Sequence, residues 1–392
     1  MNSFTFQNTT KVYFGENQIQ NLHSEVLKYG DKVLIAYSNS AKKLKVYEEA
    51  LNDLTTNGIK VYELGSVEPN PRHTTVNRGV ELCKKHGIQS VLAIGGGSTI
   101  DCCKAIAATS LSSSDNVWDL IEGKIKWSDA LAVIAIPTIA STGSEMDKSC
   151  VISNEELGLK SGINSEAIRP KVAFLDPVNT FSVPATQTAC GGFDIMAHLL
   201  DMNYFVNSQK YPLQFNVVET ILKQVRKYLP IAIEEPSNYE ARATVLWAAS
   251  WALNSFCTSG FKTYPSLHLL EQFSSTYDLT HGLGLAILTP KWMKHLLDKD
   301  KSVAKDFARF GTNVLGIKED EDEIELAYKT IETLESFIKD ELKLPLSLSE
   351  IGLDNLKFEE MADKALCGLK SLNGAYRELT REDILEIYKL CL

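Results

Sequence analysis

Seven histidines occur in the 392 residues, and two of them, His268 and His281, bracket the segment "HLLEQFSSTYDLTHG". A third, His198, follows Asp194 by four residues in "GGFDIMAHLL". On a helix that spacing puts a carboxylate and an imidazole on one face, where both can share one ion. One carboxylate with three imidazoles is a ligand set for Fe(II) or Zn(II) rather than for magnesium or calcium. Asp194, His198, His268 and His281 are therefore the candidate metal ligands. An isolated Asp–His pair can equally be a hydrogen bond on a helix surface. The histidines at 23, 73, 86 and 295 have charged or polar neighbours in the sequence and read as surface residues.

Two further segments suit a nucleotide. "AIGGGSTID" (Ala93 to Asp101) joins a strand-like run to a helix-like one. Gly95, Gly96 and Gly97 let the backbone approach a ligand closely, and the helix start at Ser98 offers free N–H groups to a phosphate. Ile100 stands where the usual dinucleotide fingerprint has its third glycine, so this is a different loop from G-x-G-x-x-G. Asp101 and Lys104, one turn apart, are either an exposed pair or groups facing the cofactor. "IPTIASTGSEMD" (Ile136 to Asp147) is a second such loop, with Thr138, Thr142 and Ser144 as donors. Two loops of this kind, each following a strand, imply a dinucleotide crevice. The loop "AYSNSAKK" (Ala36 to Lys43) has no acid to hold both ribose hydroxyls. It offers Ser38, Asn39 and Ser40 as donors and Lys43 as a charge, so NADPH is expected over NADH.

The elements that must position these groups change along the chain. Buried strands are expected at Lys32 to Ser38, Lys60 to Leu64, Ser90 to Gly97, Leu131 to Pro137 and Val172 to Pro177. Each is a short β-branched run bounded by turn residues. Helical periodicity fills the intervals, as in Thr74 to Lys85 and Ile100 to Thr109. This alternation predicts a parallel sheet with helices on both faces, and a hairpin near Asn8 to Thr10 would add antiparallel strands. Beyond about Pro184 strand signals fade into amphipathic stretches, Ala189 to Val206, Leu213 to Tyr228, Ala241 to Cys257 and Glu321 to Leu342. The expected division is an α/β dinucleotide-binding domain over 1–184 and an all-helical metal-binding domain over 185–392.

A net charge of −10 disfavours nucleic acid and anionic membrane as partners. The acidic run Lys318 to Glu325 reads as the solvated start of a helix. No apolar stretch reaches the roughly 20 residues of a membrane span. Eight scattered cysteines without a CxxC pair suggest a reducing cytoplasm, and Cys102 and Cys103 read as packing residues inside a helix.

In this order, "GGGSTID" with Lys104, "ASTGSE", "LDP" at Leu175 to Pro177, "DIMAH" and "YDLTHGLGLAI" resemble the iron-containing alcohol dehydrogenase family, in its NADPH-dependent butanol dehydrogenase branch. The resemblance runs from "VYFG" at Val12 to the closing "LTREDILEIYKL" and includes "VEPNP" at Val67 to Pro71. It implies an N-terminal dinucleotide domain, a C-terminal helical domain, and hydride transfer between a nicotinamide and a small alcohol or aldehyde at a divalent metal. By motif, Asp194, His198 and His281 would be ligands, and Gly96, Gly97, Ser98, Thr138, Thr142 and Lys160 would line the cofactor. A homodimer is expected. Two positions depart from the family. Its histidine fourteen residues before the His-Gly pair falls here on Leu267, so His268 serves only if one residue is lost after Gln272, near Ser274 to Thr276. The family's frequent second histidine is here Gln272, which cannot titrate. A lyase related to dehydroquinate synthase is the alternative enzyme. It would need basic residues for a phosphorylated substrate, whereas "LLEQF" and "LGLAI" are apolar. A metal-free nucleotide sensor is the alternative outside catalysis.

Overall fold

The computed structural model describes residues 2–207, 211–318 and 322–392. Residues 319–321 of the acidic run lie outside the described residues. Asp322 caps the helix Glu323–Ser336 by accepting from the amides of Ile324 and Glu325.

The chain forms two compact units. One is Gln7–Val183; the other runs from Pro184 to the C-terminus and includes the N-terminal segment up to Phe6. In the first, β1 (Lys11–Phe14), β2 (Lys32–Tyr37), β3 (Lys60–Leu64), β4 (Ser90–Gly95), β5 (Ala132–Pro137) and β8 (Val172–Leu175) make one sheet in the order β1-β8-β5-β4-β2-β3. Every pairing in it is parallel. The apolar runs are continuous because both faces are buried. Leu34, Ala36, Val91, Ala93, Val133 and Ala135 pack into one core, with Val76 and Val80 of the helix His73–His86 and Ile106 of the helix Gly97–Ser110. Their strand neighbours Val33, Ile35, Leu92, Ile94, Ile134 and Ile136 pack into a second core with Leu22, Val46 and Leu54.

Between β5 and β8 lies an antiparallel hairpin of β6 (Ser149–Asn154) and β7 (Leu159–Asn164), apart from the main sheet. The hairpin expected near Asn8 to Thr10 is not formed. Thr10 instead donates its hydroxyl to the Pro170 carbonyl at 2.7 Å and Asn8 its amide to that of Met146 at 3.0 Å. These bonds lead the chain into β1, which pairs in parallel with β8.

The second unit is helical, apart from a two-residue antiparallel pair, Ser371–Leu372 with Leu379–Thr380. At its centre is the helix Ala185–Leu199, buried at every residue from Thr188 to Leu199. A helix apolar all round is a core helix. It packs against Pro212–Glu234 and His281–Lys299. Several helices differ from the sequence-based expectation at their ends. The first continues past Leu199 as a π-helical turn, Leu200–Tyr204. Pro212–Glu234 runs through Pro230, Tyr239–Ala252 stops short of Cys257, and Glu323–Ser336 opens into a π turn at Phe337–Glu341. No helix among the described residues is long and apolar enough to cross a membrane.

Candidate metal centre and nucleotide loops

The stretch from His268 to His281 is two short helices, Ser266–Leu270 and Phe273–Tyr277, broken at Glu271 and Gln272. The break therefore comes earlier than the Ser274 to Thr276 expected. Leu267 is fully buried, and His268, the next residue, turns to the central helix. Ligand atoms of Asp194, His198 and His268 lie within 4.8 Å of one another. The His198 and His268 rings are 4.2 Å apart, centre to centre. His281, first residue of the helix His281–Lys299, brings Nε2 to 4.0 Å from Asp194 Oδ1. The four residues singled out by type and spacing thus surround one volume.

Each imidazole is held by Nδ1. That of His198 meets the Asp194 carbonyl at 2.8 Å, that of His268 the Asp201 carboxylate at 2.8 Å, and that of His281 the Glu271 carboxylate at 2.5 Å. With Nδ1–H donating to these acceptors, each Nε2 is left as a lone-pair donor, the state that binds a metal. The Nε2 of His268 is buried with no hydrogen-bond partner, a costly condition for a polar atom unless something else binds it. Burial works against a proton on His198, but the charge and hydrogen bonds of Asp194 outweigh it and raise its pKa. Burial and the neighbouring His198 lower that of His268. Tetrahedral coordination at about 2.1 Å separates donors by roughly 3.4 Å. The 4.0 Å between His281 and Asp194 needs only a small side-chain adjustment. The donor set and its spacing fit Fe(II) or Zn(II).

Two holders of this site, Asp201 and Glu271, were not singled out from the sequence. Asp201 stands seven residues after Asp194 and three after His198, a same-face spacing that signals a role only once His198 is known to be buried. Glu271 also accepts from the Ser274 amide and hydroxyl at 2.9 and 2.7 Å. Gln272 turns onto its own segment, donating to the Leu269 carbonyl and accepting from Ser275. His295 is not a surface residue. It is 3 % exposed and meets Asp383 at 3.0 Å. His23, His73 and His86 are partly buried.

In the other unit, the C-terminal ends of β2, β4 and β5 are adjacent, with Tyr37 opposite Ile94 and Gly95 opposite Pro137. The chain moves outward from β2 to β3, then returns to the opposite side of β2 for β4, a topological switch point. Loops with Ser38 to Lys43, Gly95 to Ser98 and Thr138 to Ser144 leave from this edge. A Cβ on Gly97 would stand 2.4 Å from Thr142 Oγ1 and one on Gly96 2.8 Å from Ile139 Cγ2, so glycine is what lets the two loops touch. Gly96 caps the helix Gly97–Ser110 without a side-chain bond, which leaves its first amides to a ligand. Thr138 binds the Gly95 carbonyl through its amide. Ser38 and Ser40 share a 3.0 Å hydroxyl contact, Asn39 accepts from Ser66, and Lys43 is exposed. Lys160, on β7, donates to Asn70 at 3.1 Å.

Asp101 and Lys104 are not an exposed pair. Lys104 is fully buried and donates to Ser144 and the Ser149 carbonyl at 2.8 Å and to the Asp147 carboxylate. Asp101 accepts from the Ser144 hydroxyl at 2.5 Å and from the Val151 amide at 2.9 Å. Burial pushes its carboxyl up to about 6, with Asp147 adding to the rise and Lys104 opposing it. The hydroxyl hydrogen of Ser144 is thereby committed to Asp101. These residues brace the second loop from beneath, and they are not open donors to a ligand.

Residues 9–177 match the family profile described as iron-containing alcohol dehydrogenase, and residues 188–392 match its C-terminal profile. The chain is 41% identical to NADH-dependent butanol dehydrogenase B of Clostridium acetobutylicum, over 99% of each chain. It is 31% identical to the NADPH-dependent aldehyde reductase YqhD of Escherichia coli, over 93% of each. The crystal structure of NADH-dependent butanol dehydrogenase A from Thermotoga maritima superimposes with a TM-score of 0.92 at 34% identity, covering 100% of this chain and 99% of that one.

Proposed function

The chain belongs to the iron-containing alcohol dehydrogenase family, and from that premise we propose that it interconverts small alcohols and aldehydes with NADPH, at a metal held by Asp194, His198, His268 and His281. It is a nicotinamide-dependent alcohol dehydrogenase and aldehyde reductase. The ligand assignment rests on one observation above others, the buried Nε2 of His268 with no protein partner beside Asp194 and His198. When bound, the metal supplies Lewis acidity toward the substrate oxygen and the nicotinamide carries the hydride.

The residues have separable tasks. Asp194 offsets the ion's charge, and the three imidazoles, oriented through Nδ1, hold it without adding charge. The central helix, buried at both Asp194 and His198, keeps water from the back of the site. Gly96, Gly97 and Ser98 present helix amides to the pyrophosphate, with Thr138, Thr142 and Lys160 along the dinucleotide. Asp101 and Ser144 hold the second loop in shape.

The preference for NADPH rests on the Ser38 to Lys43 loop, which offers hydroxyls and a lysine but no acid. The relatives include both NADH- and NADPH-dependent enzymes. A homodimer acting in the cytoplasm completes the reading. The eight free cysteines suit a reducing compartment. Metal analysis of the purified protein with aldehyde-dependent oxidation of NADPH and of NADH tests the proposal. Aldehyde reduction that needs the metal and is faster with NADPH is expected. Equal turnover after complete metal removal overturns the metal assignment, and higher efficiency with NADH overturns the cofactor preference.

A further inference from the structure

We propose that Asp201, carried on the π turn Leu200–Tyr204, is the positioning residue that sets the direction and tautomer of His268. The inference rests on the metal reading given above. Asp201 is fully buried, and its carboxylate accepts three hydrogen bonds from one segment: the Leu267 amide at 3.2 Å, the His268 amide at 3.1 Å and His268 Nδ1 at 2.8 Å. The two amides open the helix Ser266–Leu270, whose own N-cap residue, Pro265, makes no side-chain cap. A capping carboxylate normally comes from the residue that starts the helix. Here it comes from 67 residues earlier in the chain.

Asp201 follows Asp194 by seven residues, so an α-helical path puts the two within about 20° on one face. The π turn begins at Leu200 and shifts the register of the residues that follow, Asn203, Tyr204 and Phe205, relative to the helix before it. Turns of this kind collect at functional sites. One carboxylate thus fixes both the backbone of His268 and its ring. Rotating the ring would break the Nδ1 bond, and slipping the segment by one residue would bring Leu267 into the place of His268 and lose the ring's bond to Asp201.

The three histidines are held by chemically different acceptors. His198 has the Asp194 carbonyl, with that residue's carboxylate oxygen 3.2 Å away, and His281 has Glu271, which is shared with Ser274. The Asp201 carboxylate on Nδ1 makes the His268 ring more electron-rich and strengthens its Nε2 as a ligand.

Three measurements test this. In the metal-free wild-type protein labelled with 15N-histidine, NMR should show His268 as the Nδ1–H tautomer; an Nε2–H tautomer would overturn the proposal even if no variant folds. In Asp201→Asn, zinc affinity by chelator competition should fall about 10- to 100-fold, with restoration in part by Asp201→Glu. A folded Asp201→Asn with wild-type zinc affinity also overturns it. Failure of the metal reading looks different: wild-type protein would take up no zinc that Asp194→Ala abolishes, while the tautomer of His268 would still report on Asp201.

Discussion

Replacing Gly282 by alanine should open the metal site from one side. Gly282 follows His281 directly, and its helix rests on the backbone of the central helix. A Cβ built there stands 2.1 Å from the Cys190 carbonyl oxygen and 2.7 Å from its carbon. An ordinary contact begins near 3.4 Å, so about 1.3 Å is lacking. Neither partner is a side chain that can swing away, so one helix must retreat. Asp194 lies one turn beyond Cys190, so a retreat here widens the distance between His281 and Asp194. Their 4.0 Å separation would approach about 5 Å, against the roughly 3.4 Å that a shared tetrahedral ion needs. Overpacking of this kind costs about 1–3 kcal/mol, or roughly 2–12 °C in melting temperature for a unit of this size. Zinc affinity should fall by about tenfold or more. Thermal melting of the metal-free protein and chelator competition read the two effects separately. Gly284→Ala is the control. Its Cβ meets the Glu271 carboxylate oxygen at 2.3 Å rather than the backbone of the central helix, so the helix contact should be spared while Glu271 is displaced and its hold on His281 loosens. Wild-type melting and zinc affinity in Gly282→Ala would refute this account of the helix contact.

Asp194→Ala should lose metal and turnover together, with kcat down about 100-fold or more; metal analysis and kinetics on the same preparation check it. Lys43→Glu should cut kcat/KM for NADPH about tenfold, ~1.4 kcal/mol, while leaving NADH nearly unchanged, as steady-state assays with both cofactors would show. Lys104→Met should destabilise the nucleotide-binding unit by about 3–5 kcal/mol, because Asp147 would be left without its buried cation. Urea unfolding measures that loss.

The main sheet was legible in the sequence because its strands are buried on both faces. Runs such as "VLAI" and "AVIAI" have no other use in a chain of this composition, and five expected strands end within two residues of the observed ones. The hairpin β6–β7 escaped because it is half exposed. Leu159 is 48 % exposed and Val151 38 %, so no continuous apolar run marks it. The opposite error occurred at the N-terminus. Phe4 and Phe6 alternate like one face of a strand, yet Phe6 makes an edge-on contact with Phe256 and Phe4 approaches Gly260. Alternation shows that two side chains share a side, and an aromatic pair can use that side without any sheet.

The candidate metal centre was legible in the sequence where helix geometry alone decides which residues share a face. Asp194 and His198 lie on one uninterrupted helix, so four residues mean one face. The same rule does not decide between Leu267 and His268, because their segment is not one helix. A step of about 100° per residue holds only inside a continuous turn, and the chain breaks at Glu271 and Gln272. What selects His268 is the carboxylate of Asp201, reached from a distant part of the chain. An aspartate after "AHLL" reads from sequence as an ordinary helix-surface residue, since its role depends on what packs against its face. Glu271 is hidden for the same reason: its three bonds to Ser274 and His281 exist only because the helix stops before it. Candidate ligands can be chosen by residue type because few side chains bind iron or zinc. Their holders are ordinary acids, distinguished only by being buried against an imidazole that needs an acceptor.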